Sequence, residues 1–180
     1  MSALSQLPSG FLGQRAYERL MTLKTFSDHP DHLTRLFLSP AHRNAALAVA
    51  DMIVSAHQVG LDPLGTVVGR YHGTTPDAPA FLIGSHIDTV KDAGAYDGTL
   101  GVIAGIGVVE ALKKAGKRLP FSLEILAFGD EENVRFPSNL SSSRALAGRF
   151  DPATLEGVDE DGISLRDALI RFGGHPDQIH

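Results

Sequence analysis

The chain has 180 residues, 43% of them hydrophobic and 21% charged, with no cysteine and a formal charge of -5. That length fits one domain of ordinary size, and the missing thiols exclude disulfide scaffolds, thiolate zinc sites, iron–sulfur clusters and cysteine nucleophiles. The acidic balance argues against a nucleic-acid partner, the longest apolar run, 100–109, is half of what a bilayer crossing needs (~20 residues), and no secretion-signal pattern opens the chain, so a cytoplasmic protein with no membrane partner is expected.

Residues 12–26 carry Leu12, Ala16, Leu20 and Leu23 at helical spacing. A polar, turn-rich stretch follows, and Ser39-Pro40 reads as an N-cap with proline in the first turn. The alanine-rich helix it opens should stop at Gly60. Residues 67–71 and 80–86 read as strands joined by a turn-like segment; Phe81-Leu82-Ile83 lacks alternation, which predicts a strand buried on both faces, as in a parallel sheet. A long helix is expected over 99–115, and Gly101 and Gly105 share one of its faces, which predicts unusually close packing there. A strand over 121–128, a short helix over 143–147 and a last helix over 164–172 complete the set. Ser164 with Asp167 resembles a capping pair, and Gly173-Gly174 supplies the stop. Strands alternating with apolar helices predict an α/β fold, a layered sheet with flanking helices. No repeat, low-complexity tract or internal domain boundary is visible, and 151–162 reads as an acidic connecting loop.

Three stretches collect residues that bind metals or move protons, each at a strand exit or a helix start, where ligand sites of open α/β sheets lie. In Gly84-Ser85-His86-Ile87-Asp88-Thr89, residues two apart point the same way along extended chain. Asp88 can therefore accept the His86 imidazole N–H, orienting the ring and raising its basicity as a ligand; a histidine merely hydrogen-bonded at a strand end is the plainer alternative. Asp97 in Tyr96-Asp97-Gly98-Thr99 precedes a helix, where a carboxylate also serves as a cap, and the short loop from His86 can carry it back at modest entropic cost. Gly129-Asp130-Glu131-Glu132-Asn133 holds three consecutive acids, which repel unless a cation neutralises them, although an exposed acidic turn is the common explanation of such runs. Glu131 and Glu132 converge only if the backbone turns, which Gly129 permits. Imidazole and carboxylate donors suit Zn²⁺ or Mn²⁺, and a glutamate left off the metal can take a proton from water.

With these stretches in hand, the chain resembles the hydantoinase/carbamoylase family of amidases, dinuclear metal amidohydrolases related to zinc-dependent aminoacylases and carboxypeptidases. The resemblance is carried by Gly84-Ser85-His86-Ile87-Asp88-Thr89-Val90, by Ala93-Gly94-Ala95-Tyr96-Asp97-Gly98-Thr99-Leu100-Gly101, by 128–136 and by Ser143-Arg144-Ala145-Leu146-Ala147-Gly148 behind it. Thr34-Arg35-Leu36, Ser39-Pro40-Ala41 and Arg135-Phe136-Pro137 lean toward the allantoate amidohydrolase branch. The resemblance implies His86 as terminal ligand of one metal, Asp97 as bridging carboxylate, Glu132 as ligand of the other metal, Glu131 as general base and Asp88 as the acid behind His86. It implies two divalent ions, Zn or Mn, in the complete enzyme and none or one in this chain. The reaction it implies is hydrolysis of a ureido or carbamoyl C–N bond in a small-molecule substrate. Allantoate, in purine catabolism, is the first substrate it points to; the alternatives are an N-carbamoyl-L-amino-acid hydrolase or a β-ureidopropionase.

Asn133 stands where the family has glycine, a change the left-handed tolerance of Asn accommodates; Ser142 and Thr66 replace a usual glycine and asparagine. Family members are considerably longer, with an inserted dimerisation domain and a returning segment that brings two further histidine ligands, to which neither His175 nor His180 is matched. Residues 1–180 are thus expected to be the amino-terminal part of the catalytic domain, inactive alone and prone to self-association, the full-length form being a homodimer. A non-catalytic module that keeps the fold is the rival reading. Nucleotide binding along 98–107 lacks both phosphate-loop patterns, and a calcium loop at 159–162 lacks its upstream ligands.

Overall fold

The computed structural model describes residues 11–179; residues 1–10, on which the secretion-signal reading bears, and His180 lie outside the described residues. Helices α1 (Phe11–Lys24) and α2 (Pro40–Met52) precede strands β1 (Gln58–Leu61), β2 (Val67–Tyr71) and β3 (Phe81–His86). Helix α3 (Thr99–Lys114), strand β4 (Leu123–Phe128), α4 (Ser141–Leu146) and α5 (Leu165–Phe172) follow, with short 3-10 turns at Pro152–Glu156 and Pro176–Gln178. Among the described residues, no helix is long and apolar enough to cross a membrane.

The caps act as the sequence predicts. Ser39 accepts a hydrogen bond from the His42 N–H, and Ser164 from the Asp167 N–H. Gly173 closes α5 in the left-handed conformation at φ 104°, which favours glycine. α2, however, ends at Met52 rather than running to Gly60, because the chain turns back to form β1, whose four residues are all exposed.

The sheet has the order β1-β2-β4-β3, with β3 and β4 parallel and the other pairs antiparallel. One face is helical. A Cβ on Gly101 would sit 2.7 Å from the Ser85 Cβ, and one on Gly105 3.0 Å from Ile83 and 3.1 Å from Ile125, so α3 lies as close to β3 and β4 as its paired glycines allow. Ile53, just past α2, fills the space over Gly69, which pairs with Ile125 in register and so faces the same way. Val67, Ile125, Val102, Ile106 and Val49 make this layer the core.

The expectation that β3 is buried on both faces is wrong. β3 is an edge strand in this chain, with Phe81 58% and Leu82 46% exposed. An unbroken apolar run reports the environment a strand is built for, and a second neighbour for β3 is not among these strands. On the far face, Arg70 of β2 pairs with Glu124 of β4 in mid-sheet.

Candidate metal centre

β3 and β4 leave the sheet side by side: His86 is in register with Phe128, and the Ile87 N–H donates to the Phe128 carbonyl at 2.9 Å. The two exits therefore deliver their side chains to one place. His86, its side chain 11% exposed, has Nδ1 at 3.0 Å from the Asp88 backbone carbonyl and 3.6 Å from the Asp88 Oδ1. The expected partnership with Asp88 exists, but the main-chain oxygen is the hydrogen-bonding one. Nε2 faces outward, 3.7 Å from Asp97 Oδ1 and 3.9 Å from Glu131 Oε2.

Asp88 is buried and acts on the neighbouring exit. Its Oδ2 accepts the N–H groups of Glu131 (3.1 Å) and Glu132 (3.2 Å), which holds the acidic turn against β3, while its Oδ1 is buried with no hydrogen-bond partner. Burial pushes this carboxyl up, but the His86 ring, His42 and the Glu132 N–H outweigh it and hold it below the usual range. For His86, burial pulls the ring down, and the Asp88 carboxylate and carbonyl, with Glu131, overcome that and carry it to about 9.

The turn itself departs from the expected mechanism. Gly129 is not the hinge; a Cβ there would strike the Phe37 ring at 2.5 Å, so that glycine serves close packing. Asp130 (φ 64°) and Asn133 (φ 55°) take the left-handed conformation instead. Asp130 is buried and its Oδ2 accepts the hydroxyls of Ser138 (2.8 Å) and Ser141 (2.5 Å), which satisfies the carboxylate and fixes the turn to α4. Ser142, the departure from glycine, offers its Oγ to the Gly129 N–H at 3.3 Å. The acids are divided by this geometry: Asp130 is structural, and Glu131 and Glu132 face the site.

Asp97 does not cap α3. Gly98 is the N-cap residue, with φ 62° and no side-chain bond, and the Thr99 N–H and hydroxyl bond to the Asp97 carbonyl. The Asp97 carboxylate, 67% exposed, is thereby left to face His86. A Cβ on Gly98 would lie 2.5 Å from the His86 ring, so only glycine lets this loop close over the imidazole.

One ligand atom each from His86, Glu131 and Glu132 lies within 4.8 Å of the others. Asp97 stands outside that group but is nearer to His86 Nε2 than Glu131 is. Metal–ligand bonds of about 2.0–2.2 Å allow donor atoms to lie roughly 3.3–4.2 Å apart, and the contacts to Nε2 fall in that span. Glu132 Oε1 is buried with no hydrogen-bond partner; burial, with Asp97, Glu131 and Asp88 against it, pushes the carboxyl up despite the opposing pull of His86. An unpaired buried oxygen beside an outward imidazole nitrogen, among acids that repel one another, fits a divalent cation. By geometry alone Glu131 and Asp97 are equal candidates around Nε2.

Residues to which the sequence assigned no role at the site complete the support. Arg35 is buried behind the β3 exit, bonded to main-chain carbonyls, and burial lowers it to about 10 against the opposing pull of Asp88 and Asp28. His42 is buried behind the β4 exit, its Nδ1 accepting the Leu38 N–H at 3.1 Å. The spacing of His42 with Ala45, Ala46 and Val49 marks the inner face of α2 and is the signal that could have found it. No local signal sets Asp130 apart from the two acids that follow it, because its partners lie eight and eleven residues on. The acidic loop near 159 is no calcium site: Asp159 accepts the Asp161 and Ile163 N–H groups and the Arg135 guanidinium.

The sequence profile of Peptidase family M28 matches residues 66–158. Over 93% of its length the chain is 39% identical to an N-carbamoyl-L-amino acid amidohydrolase of Geobacillus stearothermophilus. Over 91% it is 42% identical to an allantoate deiminase of Arabidopsis thaliana. A crystal structure of a hydantoinase/carbamoylase family amidase from Burkholderia ambifaria superposes on 91% of the chain with a TM-score of 0.84 at 32% identity. The chain spans 41% and 32% of the length of the two relatives and 42% of the Burkholderia chain.

Proposed function

This chain belongs to Peptidase family M28, and from that premise we propose that it is part of a metal-dependent amidohydrolase that cleaves a ureido or carbamoyl C–N bond, with allantoate as the substrate. The observation that carries the reading is the meeting of His86 Nε2 with Asp97 and Glu131, beside the unpaired Glu132 Oε1, at the end of two parallel strands. His86, Asp97 and Glu132 would hold zinc or manganese, Asp97 having a second oxygen to offer a second ion. Bound divalent cations polarise a carbonyl and bring the pKa of water near neutrality. Glu131, 48% exposed and close to Nε2, is the group free to take a proton from water and return it to the leaving nitrogen. Asp88 orients the ring of His86 and holds both glutamates by their N–H groups.

The domain reading goes with this. Residues 1–180 form part of a catalytic domain that further chain completes, and the solvent-facing β3 edge, with Phe81 and Leu82 bare, is the surface that such a completion would cover. The reading expects weak binding of a single cation and negligible turnover by these 180 residues alone.

Titration of the chain with Mn²⁺ or Zn²⁺ tests the centre: binding is expected, and His86→Ala and Glu132→Gln should each abolish it. A parent chain that takes up no cation overturns the reading. Ammonia release from allantoate against N-carbamoyl-L-amino acids, measured on the longer protein that contains this segment, separates the substrate classes. Preference for an N-carbamoyl amino acid would transfer the assignment to the activity named for the Geobacillus relative.

A further inference from the structure

Arg35 is a buried cation, and among the described residues no carboxylate lies within ion-pair distance of it. Its guanidinium instead donates to main-chain oxygens. Nη1 donates to the Leu23 and Phe26 carbonyls at the end of α1 (2.7 and 3.0 Å), and Nε donates to the Ile87 carbonyl at 2.6 Å. If the position needed only filling, an apolar side chain would do so without desolvating a charge. What the guanidinium adds is direction, since its N–H groups are fixed in a plane.

The backbone of Arg35 works on the next peptide. Its N–H donates to Thr89 Oγ1 at 2.8 Å, and its carbonyl accepts the Thr89 N–H at 2.9 Å. A trans peptide sends its N–H and C=O in opposite directions. With the Thr89 N–H drawn toward Arg35, the carbonyl of the same peptide, that of Asp88, must point away from it, and there it meets His86 Nδ1 at 3.0 Å. The carbonyl can only accept, so Nδ1 carries a proton, and the neutral ring presents the lone pair of Nε2 toward Asp97 and Glu131.

We infer that Arg35 is a positioning residue for the metal centre: side chain and main chain together fix the peptides on either side of Asp88 and thereby set the tautomer and aim of the His86 imidazole. The inference rests on the metal-centre reading above, and its test includes a readout that does not. Arg35→Gln and Arg35→Lys are compared with the parent chain by circular dichroism, by Mn²⁺ titration, and by long-range proton–nitrogen NMR correlations of His86 in the metal-free chain at a pH where the ring is neutral.

The parent should show the proton on Nδ1. Arg35→Gln should be folded, show a mixture of tautomers and bind Mn²⁺ about ten- to hundredfold more weakly, and Arg35→Lys, which keeps a donor but not its direction, should fall between. A folded Arg35→Gln with the parental tautomer overturns the inference, as does Mn²⁺ affinity within about twofold of the parent. Loss of the fold in both variants overturns it as well, because the residue is then a determinant of folding and nothing more. If the parent binds no Mn²⁺, the metal reading fails, and the NMR comparison alone decides the role of Arg35.

Discussion

The β3 and β4 exits are neighbours with the same direction, yet the chain secures them by opposite means. Behind the β3 exit sits Arg35, a charge surrounded by carbonyls; behind the β4 exit sits His42, a neutral ring among Phe37 and Phe172 with an unpartnered Nε2. The difference follows from what each exit exposes to the interior. The Ile87 peptide turns its oxygen inward, alongside the carbonyl end of α1, and calls for a donor. The peptide at Gly129 turns its N–H to Ser142 and its bare Cα to aromatic rings, and calls for shape. The β3 exit supplies the imidazole, and the β4 exit supplies the carboxylates.

Breaking the β4 exit should have the largest effect. Asp130→Ala leaves the Ser138 and Ser141 hydroxyls without their acceptor and puts alanine at a left-handed φ. A loss of about 3 kcal/mol is expected in urea unfolding. A loss below ~1 kcal/mol would mean that the buried carboxylate does not organise the turn.

The His42 support should show itself through pH. Burial, with Arg35 and Arg135 in the same sense and Asp88 and Asp28 opposing, holds the ring at about 4 against its ordinary 6.5. The unfolded chain therefore takes up this proton first as pH falls. The stabilisation is complete above pH 6.5 and declines between 6.5 and 4, at a total cost of about 3 kcal/mol. Unfolding midpoints across that window should fall more steeply for the parent than for His42→Gln, and parallel curves would sink the assignment.

The smallest change sharpens the contrast from the ligand side. Glu132→Gln removes one of the clustered charges and should stabilise the cation-free chain by about 0.5 kcal/mol after solvent screening, while abolishing Mn²⁺ uptake. Destabilisation by a similar amount would show that the carboxylate has a structural partner.

How much of this was legible in the sequence depends on whether the signal is local. Ser39-Pro40, Ser164 and Gly173 announce helix ends because a cap is made within a few residues. Gly101 and Gly105 announce a close approach because their spacing is that of a helix face. β1 was missed, since Gln58–Leu61 is short, fully exposed and contains the glycine read as a helix stop. The burial of β3 was misjudged because an edge is a property of the whole sheet. At the site, the ligand-capable residues stood out by type and by resemblance. The supporting roles of Arg35, His42 and Asp130 did not, although Arg35 and Asp130 lie in stretches that carry the resemblance, because each acts on residues far along the chain.

The Arg70–Glu124 pair carries a consequence for how this sheet can be approached. β2 and β4 are its interior strands, so the two charges stand at the middle of the face away from α3. A greasy slab laid there would strand them without water, a penalty of several kcal/mol per ion. The bare β3 margin exacts no such penalty, about half of the N–H and C=O groups of its six residues being unspent on its outer side. Growth of the fold is thereby channelled sideways, by adding strands, and discouraged from stacking a new layer on top.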